Sequence, residues 1–223
     1  IDLSKKQKQF LKSRTRVQIC SGAVRSSKTF VACMKFLQFF LAYTGNDDCA
    51  IFGKTEQTIK RNVISTFEKI FNILYPNSGH KLIKYTDGGV RIMGKKCLII
   101  SCNDVSAEGK IKGCTLKYSL IDEVTEIGEA NYMQILARHI TNDDAVIIGT
   151  TNPNSQMHWL YKMYQNETCR LILDNIDFKI DKNKNTSWYH FTLNDNLTVS
   201  EQAIRELSNT YTGVFYDRNI LGL

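Results

Sequence analysis

The segment from Gly22 to Thr29 constrains the fold of this 223-residue chain more than any other feature. It lies between a short apolar run that ends at Cys20 and an apolar, helix-like stretch at 30–43. A strand, a glycine-containing loop that ends in Lys-Ser/Thr and a following helix are typical of a phosphate-binding loop. Ser27 departs from the motif, which has glycine at the point where the backbone approaches the phosphate.

The spacing of this loop predicts a role for each of its residues. Backbone N–H groups of the loop and of the helix N-terminus face the phosphates, Lys28 reaches the β- and γ-phosphates and the Thr29 hydroxyl binds Mg²⁺. ATP and Mg²⁺ are therefore the expected cofactors. The predicted nucleotide contacts in the loop are Gly22, Ala23, Val24, Arg25, Ser26, Ser27, Lys28 and Thr29. The alternative is a loop with an incidental Lys-Thr pair.

Two adjacent carboxylates, Asp122 and Glu123, end a second apolar run that begins at Tyr118. In an ATPase, the first carboxylate of such a pair holds Mg²⁺ through water and the second polarises the attacking water as general base. We therefore predict Asp122 as a metal residue and Glu123 as a catalytic residue. A strand that ends at a solvated acidic turn is the alternative for these residues taken alone.

A third apolar run, 145–148, leads to Thr150, Thr151 and Asn152, which precede Pro153. Neutral hydrogen-bonding groups at a strand end can lie beside a γ-phosphate and respond to its loss. We interpret these three residues as a sensor that couples hydrolysis to movement. A strand-end turn with an Asn-Pro breaker is the alternative.

Alternation of strand-like and helix-like segments predicts an α/β fold of the P-loop NTPase class (ASCE/RecA-like), with a mainly parallel central sheet flanked by helices. Residues 84–93, centred on Asp87-Gly88-Gly89, predict a small β-hairpin insertion, and 177–187 a loop or linker. The predicted strands are 16–20, 50–53, 97–102, 118–122, 144–150, 170–173 and 188–193. The predicted helices are 4–12, 30–43, 56–74, 129–138, 156–166 and 199–211.

The net charge of +7 is compatible with a nucleic-acid partner, although an excess of lysine also aids solubility. Lys60 and Arg61 follow a strand-like run, and Lys110 and Lys112 lie in a glycine-containing segment interpreted as a loop. These four residues are the predicted DNA contacts. No apolar run approaches the ~20 residues that a membrane span needs, so no membrane partner is expected. The 7 cysteines, without a Cys-x-x-Cys motif, indicate free thiols in a reducing cytoplasm, and the 4 histidines lack metal-ligand spacing.

These motifs, taken in order, resemble the ATPase domain of large terminase subunits, the motors that package double-stranded DNA into the procapsids of tailed bacteriophages. Residues 3–7 resemble the upstream segment whose glutamine reads adenine, here Gln7, and 22–29 the phosphate loop with its internal arginine. Residues 110–113 resemble the basic step before the acidic strand 120–123. Residues 150–153 with 158–160 resemble the coupling motif and its helix, and 190–196 with 213–218 the segment that leads out of the domain.

The resemblance implies a homo-oligomeric ring, a pentamer while it packages, that is docked on the portal protein and supplied with DNA by a small terminase subunit in the host cytoplasm. The isolated domain could be a monomer. It also implies a second, RNase-H-like nuclease domain. We therefore expect residues 1–223 to be the ATPase motor domain, with about 177–223 leading toward a nuclease domain that is absent from this chain, and we expect no nuclease activity.

Two arginines are candidates to neutralise charge on the transferring phosphoryl group. Arg25 lies in the loop and would act in cis or toward a neighbour, while Arg138, at the end of a predicted helix, would reach across a ring interface. For Arg138 the alternative is a solvated cation favoured by the helix dipole. Other functions stay open from the residues alone: another nucleic-acid-translocating ATPase of the helicase type, a small-molecule kinase, or an inactive nucleotide-binding module.

Overall fold

Nine strands form a single sheet in the computed structural model, which describes residues 1–76, 79–103, 106–155, 157–164, 178–181 and 185–222. The strands are β1 (Val17–Gly22), β2 (Asp48–Gly53), β3 (Ile83–Thr86), β4 (Gly89–Ile92), β5 (Lys95–Ser101), β6 (Leu116–Ile121), β7 (Val146–Thr151), β8 (Phe178–Asp181) and β9 (Thr186–Phe191). Their order across the sheet is β3-β4-β5-β2-β6-β7-β1-β9-β8.

Helices connect most of these strands. They are α1 (Lys5–Lys12), α2 (Lys28–Ala42), α3 (Glu56–Ile59), α4 (Ser65–Leu74), α5 (Ser106–Lys112), α6 (Glu129–Arg138), α7 (Trp159–Tyr164), α8 (Glu201–Thr210) and α9 (Val214–Tyr216). Two π-helical turns, Lys60–Ile64 and Asp217–Leu221, continue α3 and α9. Among the described residues, none of these helices combines the length and the apolar character that a membrane crossing would require.

The six central strands, β5-β2-β6-β7-β1-β9, pair in parallel, so their carboxyl ends lie along one edge of the sheet. Five of these strands, all except β5, are almost entirely buried, as expected for a parallel sheet covered on both faces. The predicted α/β fold with a mainly parallel sheet is confirmed. The edge formed by the carboxyl ends is where ligands bind in open α/β sheets.

Alternate residues of each central strand pack into two separate hydrophobic clusters, one on each face of the sheet. On β2, Cys49 and Ile51 join the cluster with α2 and α4, whereas Ala50 and Phe52 join the cluster with α6 and α7. Aromatic side chains fill much of the first cluster, and Phe36 stacks on Phe67 with a centroid distance of 5.9 Å. Such alternation fixes which face of each strand is available to each helix layer.

The predicted hairpin is confirmed: β3 and β4 pair antiparallel, with Asp87 and Gly88 between them, and β4 also pairs antiparallel with β5. Gly88 adopts a left-handed conformation with φ of 68°, as a tight hairpin turn requires. The hairpin therefore extends the parallel sheet by two antiparallel strands at one edge. On the opposite edge β8 pairs antiparallel with β9.

The helical run predicted at 56–74 is confirmed in its extent, with the π-helical turn Lys60–Ile64 inside it. Two other local predictions are wrong. The segment that carries Lys110 and Lys112 is α5 rather than a loop, because Ala107 and Ile111 on one face of α5 are buried. The loop predicted at 177–187 contains β8 and the start of β9, since pairing along a sheet edge stabilises residues that have no local strand signal.

Some predictions concern residues outside the described part of the chain. The strand predicted at 170–173 lies there, as does Cys169. The other six cysteines are free thiols, five of them buried.

Candidate active site

The phosphate-loop segment begins at a glycine whose surroundings leave no room for a side chain. Gly22, the last residue of β1, has φ of 139°, and a Cβ atom added there would lie 1.9 Å from the Phe191 carbonyl oxygen of β9. The next residue, Ala23, donates its N–H to that same oxygen at 2.9 Å. The close approach of β1 and β9 therefore sets where the loop begins.

The loop enters α2 through left-handed residues. Arg25 has φ of 62° and Ser27, the N-cap of α2, has φ of 67°. The Ser27 side chain makes no capping hydrogen bond, so the free N–H groups of the first helical turn remain available to an anion. The conformation at Ser27 is one that glycine adopts more readily, which explains why the motif has glycine at this position.

Lys28 connects the loop to the two other predicted motifs. Its side chain is 6% exposed, and Nζ donates to the Ala23 carbonyl at 3.0 Å and to Asn152 Oδ1 at 2.7 Å. The Asn152 side-chain amide in turn donates from Nδ2 to Glu123 Oε2. A continuous chain of hydrogen bonds thus joins Lys28, Asn152 and Glu123.

Asp122, 5% exposed, is held from two sides. Its Oδ2 accepts a hydrogen bond from Asn62 Nδ2 at 2.8 Å, and Oδ1 accepts a longer one from Thr150 Oγ1 at 3.4 Å. The Glu123 N–H donates to Thr150 Oγ1 at 3.3 Å. Glu123 also has a left-handed backbone, with φ of 54°, a strained conformation of the kind that is concentrated at active sites.

Burial changes the proton affinity of all three charged groups. Desolvation raises the pKa of the Asp122 and Glu123 carboxyls above their usual values, although the positive charge of Lys28 opposes this. Desolvation also lowers the pKa of the Lys28 ammonium group, with Glu123 as the main opposing influence. A carboxylate with a raised pKa is suited to accept a proton near neutral pH.

These groups line one cleft of about 430 Å³ at the carboxyl ends of the central strands. The predicted residues in its lining are Val24, Arg25, Lys28, Thr29, Asp122, Glu123 and Asn152. Thr29 contributes a hydroxyl and Asp122 a carboxylate to the same cleft, and oxygen donors of this kind suit Mg²⁺. The three motifs, each predicted separately from the sequence, therefore meet at one edge of the sheet.

Other predicted residues lie elsewhere. Gln7 lines a neighbouring hollow of about 580 Å³ together with Ser27, Phe30 and Leu197, and its Oε1 accepts from the Ser4 N–H at 2.9 Å. Arg138 is absent from the lining of the cleft, and its Nη1 donates to the Lys112 carbonyl at 3.3 Å. Thr151 is fully buried and hydrogen-bonded to Thr125 at 2.9 Å.

The predicted DNA contacts fall into two groups. Arg61 lines the nucleotide-sized cleft, whereas Lys60, Lys110 and Lys112 do not. Lys60 forms an ion pair with Glu56 at 2.5 Å and Lys112 with Glu108 at 2.7 Å, both within their own helical segments. A DNA role for these four residues stays a prediction.

Sequence reasoning missed four further residues of the cleft: Lys54, Thr58, Asn62 and Glu126. Lys54 and Glu126 form an exposed ion pair at 2.8 Å, while Thr58 and Asn62 come from α3 and the π-helical turn. A signal existed, because Lys54 directly follows β2 and the carboxyl ends of neighbouring parallel strands share one edge. The sequence carries no comparable signal for the directions in which the side chains of residues 58–62 point.

This chain is similar to several known proteins. The model of the family described as phage terminase large subunit matches residues 14–218. A structure of the large terminase from a thermophilic bacteriophage is similar with a TM-score of 0.79 and 28% identity, over 100% of this chain and 54% of that one. The same terminase in complex with ATP-γ-S gives a TM-score of 0.76 and 27% identity, over 100% and 53% of the two chains.

A structure of the large terminase ATPase domain from Thermus phage P74-26 shares the fold, with a TM-score of 0.62 and 12% identity over 98% of this chain and 92% of that one. No curated protein sequence matches this chain significantly. The chain spans about half the length of the terminase from the thermophilic bacteriophage. The family match extends over most of the chain and confirms the resemblance predicted from its motifs, so this chain belongs to the phage terminase large subunit family.

Proposed function

We propose that this chain binds ATP in the cleft and hydrolyses it to drive double-stranded DNA into a viral procapsid. The observation that carries the proposal is the hydrogen-bonded chain from Lys28 through Asn152 to Glu123, which brings the phosphate loop, the acidic strand and the end of β7 to one cleft. The terminase from the thermophilic bacteriophage, which has the same fold, has been crystallised with ATP-γ-S and with ADP.

Each residue of the cleft would have a separate role in ATP hydrolysis. Loop N–H groups and Lys28 would bind the phosphates, and Thr29 and Asp122 would hold Mg²⁺, which when bound neutralises charge on the β- and γ-phosphate oxygens. Glu123 would accept a proton from the attacking water. Its buried carboxylate and raised pKa suit that role.

Asn152 would report the state of the γ-phosphate. Lys28 Nζ bonds to Asn152 Oδ1, and a γ-phosphate oxygen would compete for the same Nζ protons. Release of Asn152 from Lys28 would leave its amide bonded to Glu123 and free the end of β7 to shift. Thr150 contributes to the same response because it contacts Asp122 and the Glu123 N–H. Helix α7, shortly after this strand, would carry the movement outward.

The hollow beside Ser27 is the proposed site for the adenine base. Phe30 and Leu197 supply apolar contacts there, and Gln7 supplies a polar group. Because the Gln7 oxygen already accepts the Ser4 N–H, the Gln7 amide would contact a base mainly through its Nε2 N–H donors. Arg25, which lines the cleft, is the proposed phosphate-neutralising arginine in cis. Arg138 could act only on the site of a neighbouring subunit.

Family membership supports the larger assembly as a proposal. We infer a ring of identical subunits on the portal protein, supplied with DNA by a small terminase subunit, with residues 1–223 as the motor domain. About 177–223 would lead toward a nuclease domain. A DNA-packaging motor structure is among the proteins with a similar fold, at 12% identity.

The test is steady-state ATP hydrolysis over a range of protein concentrations, with and without linear duplex DNA, beside a Glu123→Gln variant. We expect hydrolysis that rises with protein concentration or DNA and falls at least ~100-fold in the variant, the scale of a lost general base. Hydrolysis that the variant retains would contradict the assigned base. Mg²⁺-dependent binding of a fluorescent ATP analogue to the same variant checks that the cleft is still formed.

A further inference from the structure

A row of three cations crosses the hairpin edge of the sheet. In the strand register, Lys84 of β3 lies opposite Arg91 of β4, and Arg91 lies opposite Lys96 of β5. Residues directly opposite each other in antiparallel strands point to the same face. All three residues are exposed, so three positive side chains stand next to one another on one surface.

The other face of the same strands explains why the row points outward. Ile83, Val90, Ile92 and Cys97 are buried in the cluster that contains α2 and α4. Since side chains alternate between faces, burial of these residues commits Lys84, Arg91 and Lys96 to the opposite face. On that face α5 packs against β5.

The arrangement is unfavourable for the isolated chain. Neighbouring strands are ~4.8 Å apart, and like charges directly opposite each other destabilise a sheet. None of the three cations forms an ion pair with a carboxylate in the described part of the chain. Arg91 donates from Nη1 to the Gly94 carbonyl at 2.9 Å, which orients its side chain without neutralising its charge.

Charges of both signs lie between Lys96 and α6. Burial raises the pKa of the Cys114 thiol and Asp48 raises it further, while Lys96 and Arg138 lower it, so all three charged groups lie within electrostatic reach of one sulfur atom. Asp47 and Asp48 line a hollow with Arg91 and Lys96, and Asp47 accepts a hydrogen bond from the Tyr43 hydroxyl at 3.0 Å. The negative charges of Asp47 and Asp48 offset part of the positive potential near Arg91 and Lys96. Lys84 does not line this hollow.

We propose that the row of Lys84, Arg91 and Lys96 binds the phosphate backbone of double-stranded DNA without reading its sequence. A duplex carries one negative charge per ~1.7 Å of its axis when both strands are counted, and one per ~3.4 Å on each strand, so the ~10 Å row matches a length with about three phosphates on one strand. Contacts of this kind position a protein on DNA and carry no sequence information. The choice of DNA as partner rests on the proposed packaging function, whereas the row itself rests on the strand register.

The experiment measures binding of a fluorescent DNA duplex of arbitrary sequence, about 30 base pairs long, to the complete chain across a salt series. The test variant is Lys84→Ala with Arg91→Ala and Lys96→Ala. The matched control is Lys5→Ala with Lys8→Ala and Lys12→Ala, three exposed lysines of α1 whose removal changes the net charge equally. Loss of three phosphate contacts should reduce the slope of log K against log salt by about 2 to 3.

The expected result is a reduced slope and at least ~10-fold weaker binding in the row variant, with a slope change below about 1 in the control. A further variant, Lys84→Arg with Lys96→Arg, keeps the charges and should bind as the unchanged chain does. Thermal unfolding of the row variant should be unchanged or higher, because like charges have been removed. Its ATP hydrolysis without DNA should also be unchanged.

Two outcomes would overturn the proposal. Equal slope changes in the row and control variants would indicate a net-charge effect with no defined surface. Failure of the unchanged chain and of every variant to bind the duplex, while ATP is still hydrolysed, would reject the row as a DNA surface and leave the ATPase assignment intact. Because binding is measured without ATP, loss of hydrolysis cannot imitate either outcome.

Discussion

Three non-glycine residues around the cleft, Arg25, Ser27 and Glu123, have left-handed backbones, with φ of 62°, 67° and 54°. Each such residue costs ~1–2 kcal/mol relative to an ordinary conformation. Arg25 and Glu123 also present their side chains to the cleft, which links their strain to a function. Ser27 lines only the neighbouring hollow, so its strain has no such explanation.

Replacement of Ser27 by glycine should therefore stabilise the protein. Relief of the left-handed strain should stabilise the folded protein by ~1–2 kcal/mol. This gain should exceed the ~0.5–1 kcal/mol of stability that is lost because glycine gives the unfolded chain more conformational freedom. We expect the free energy of unfolding in urea to rise by up to about 1 kcal/mol, with ATP turnover equal or higher. The control is Ser26→Gly, since Ser26 has no positive φ and should lose stability. An equal loss of unfolding free energy in the two variants would contradict the presence of relievable backbone strain at Ser27.

At the scale of the element, the π-helical turn Lys60–Ile64 decides which polar groups enter the cleft. It follows the four-residue α3, whose start is fixed by a capping box between Thr55 and Thr58. Single π-helical turns inside helices occur frequently at functional sites. Here the turn aims Asn62 at Asp122 and places Arg61 in the cleft lining.

Asn62→Ala should weaken catalysis by disturbing the position of Asp122. Loss of a hydrogen bond to a charged group is worth ~1.5–3 kcal/mol, and half of that in the transition state gives a kcat that is roughly 3- to 10-fold lower. The Mg²⁺ concentration for half-maximal rate should rise severalfold, because Asp122 is the proposed metal residue. A purely structural role for Asn62 would leave this Mg²⁺ dependence unchanged.

The control for Asn62 is Ser65→Ala. The Ser65 hydroxyl donates to the Arg61 carbonyl within the same helical segment, and Ser65 is absent from the cleft lining. We expect its kcat and Mg²⁺ dependence to match those of the unchanged chain. Thermal unfolding of both variants shows whether the turn itself remains folded.

At the scale of the whole molecule, residues from 190 onward pack against the phosphate loop. Ala23 is buried with Leu193 and Ile220, and the Asn196 side chain donates to the Arg25 carbonyl at 2.7 Å. His190 Nε2 forms a hydrogen bond with the Leu221 carbonyl oxygen at 2.8 Å. The loop therefore depends on a segment that lies at the far end of the described chain.

Gly222→Ala tests this dependence. Gly222 has φ of 75°, and a Cβ atom there would lie 2.5 Å from the Ala23 nitrogen, so the substitution should displace the loop and weaken ADP binding about tenfold or more. The matched control is Gly213→Ala, because Gly213 has φ of 55° but no atom within 4 Å of an added Cβ. Both variants bear the left-handed strain, so the difference in their affinity for fluorescent ADP measures the effect of the steric contact with Ala23. Equal ADP affinities of the two variants would contradict a role of that contact in the position of the loop.

Several features of the site followed from the sequence alone. Apolar runs predicted strands that end at 20, 122 and 150, within two residues of the observed ends, and parallel strands place such ends at one edge. Asp87-Gly88-Gly89 in the middle of 84–93 predicted the hairpin. These are local properties, because the period of the apolar residues and the turn chemistry depend only on near neighbours.

The tertiary structure alone decided how distant segments meet. It placed Asn62 on Asp122, excluded Arg138 from the cleft, aligned Lys84 with Arg91 and Lys96, and packed Gly222 against Ala23. Each of these facts depends on strand order, cross-strand register or the breaking of a helix by packing. No pattern of neighbouring residues encodes such contacts, since their energy arises only when segments far apart in the chain come together.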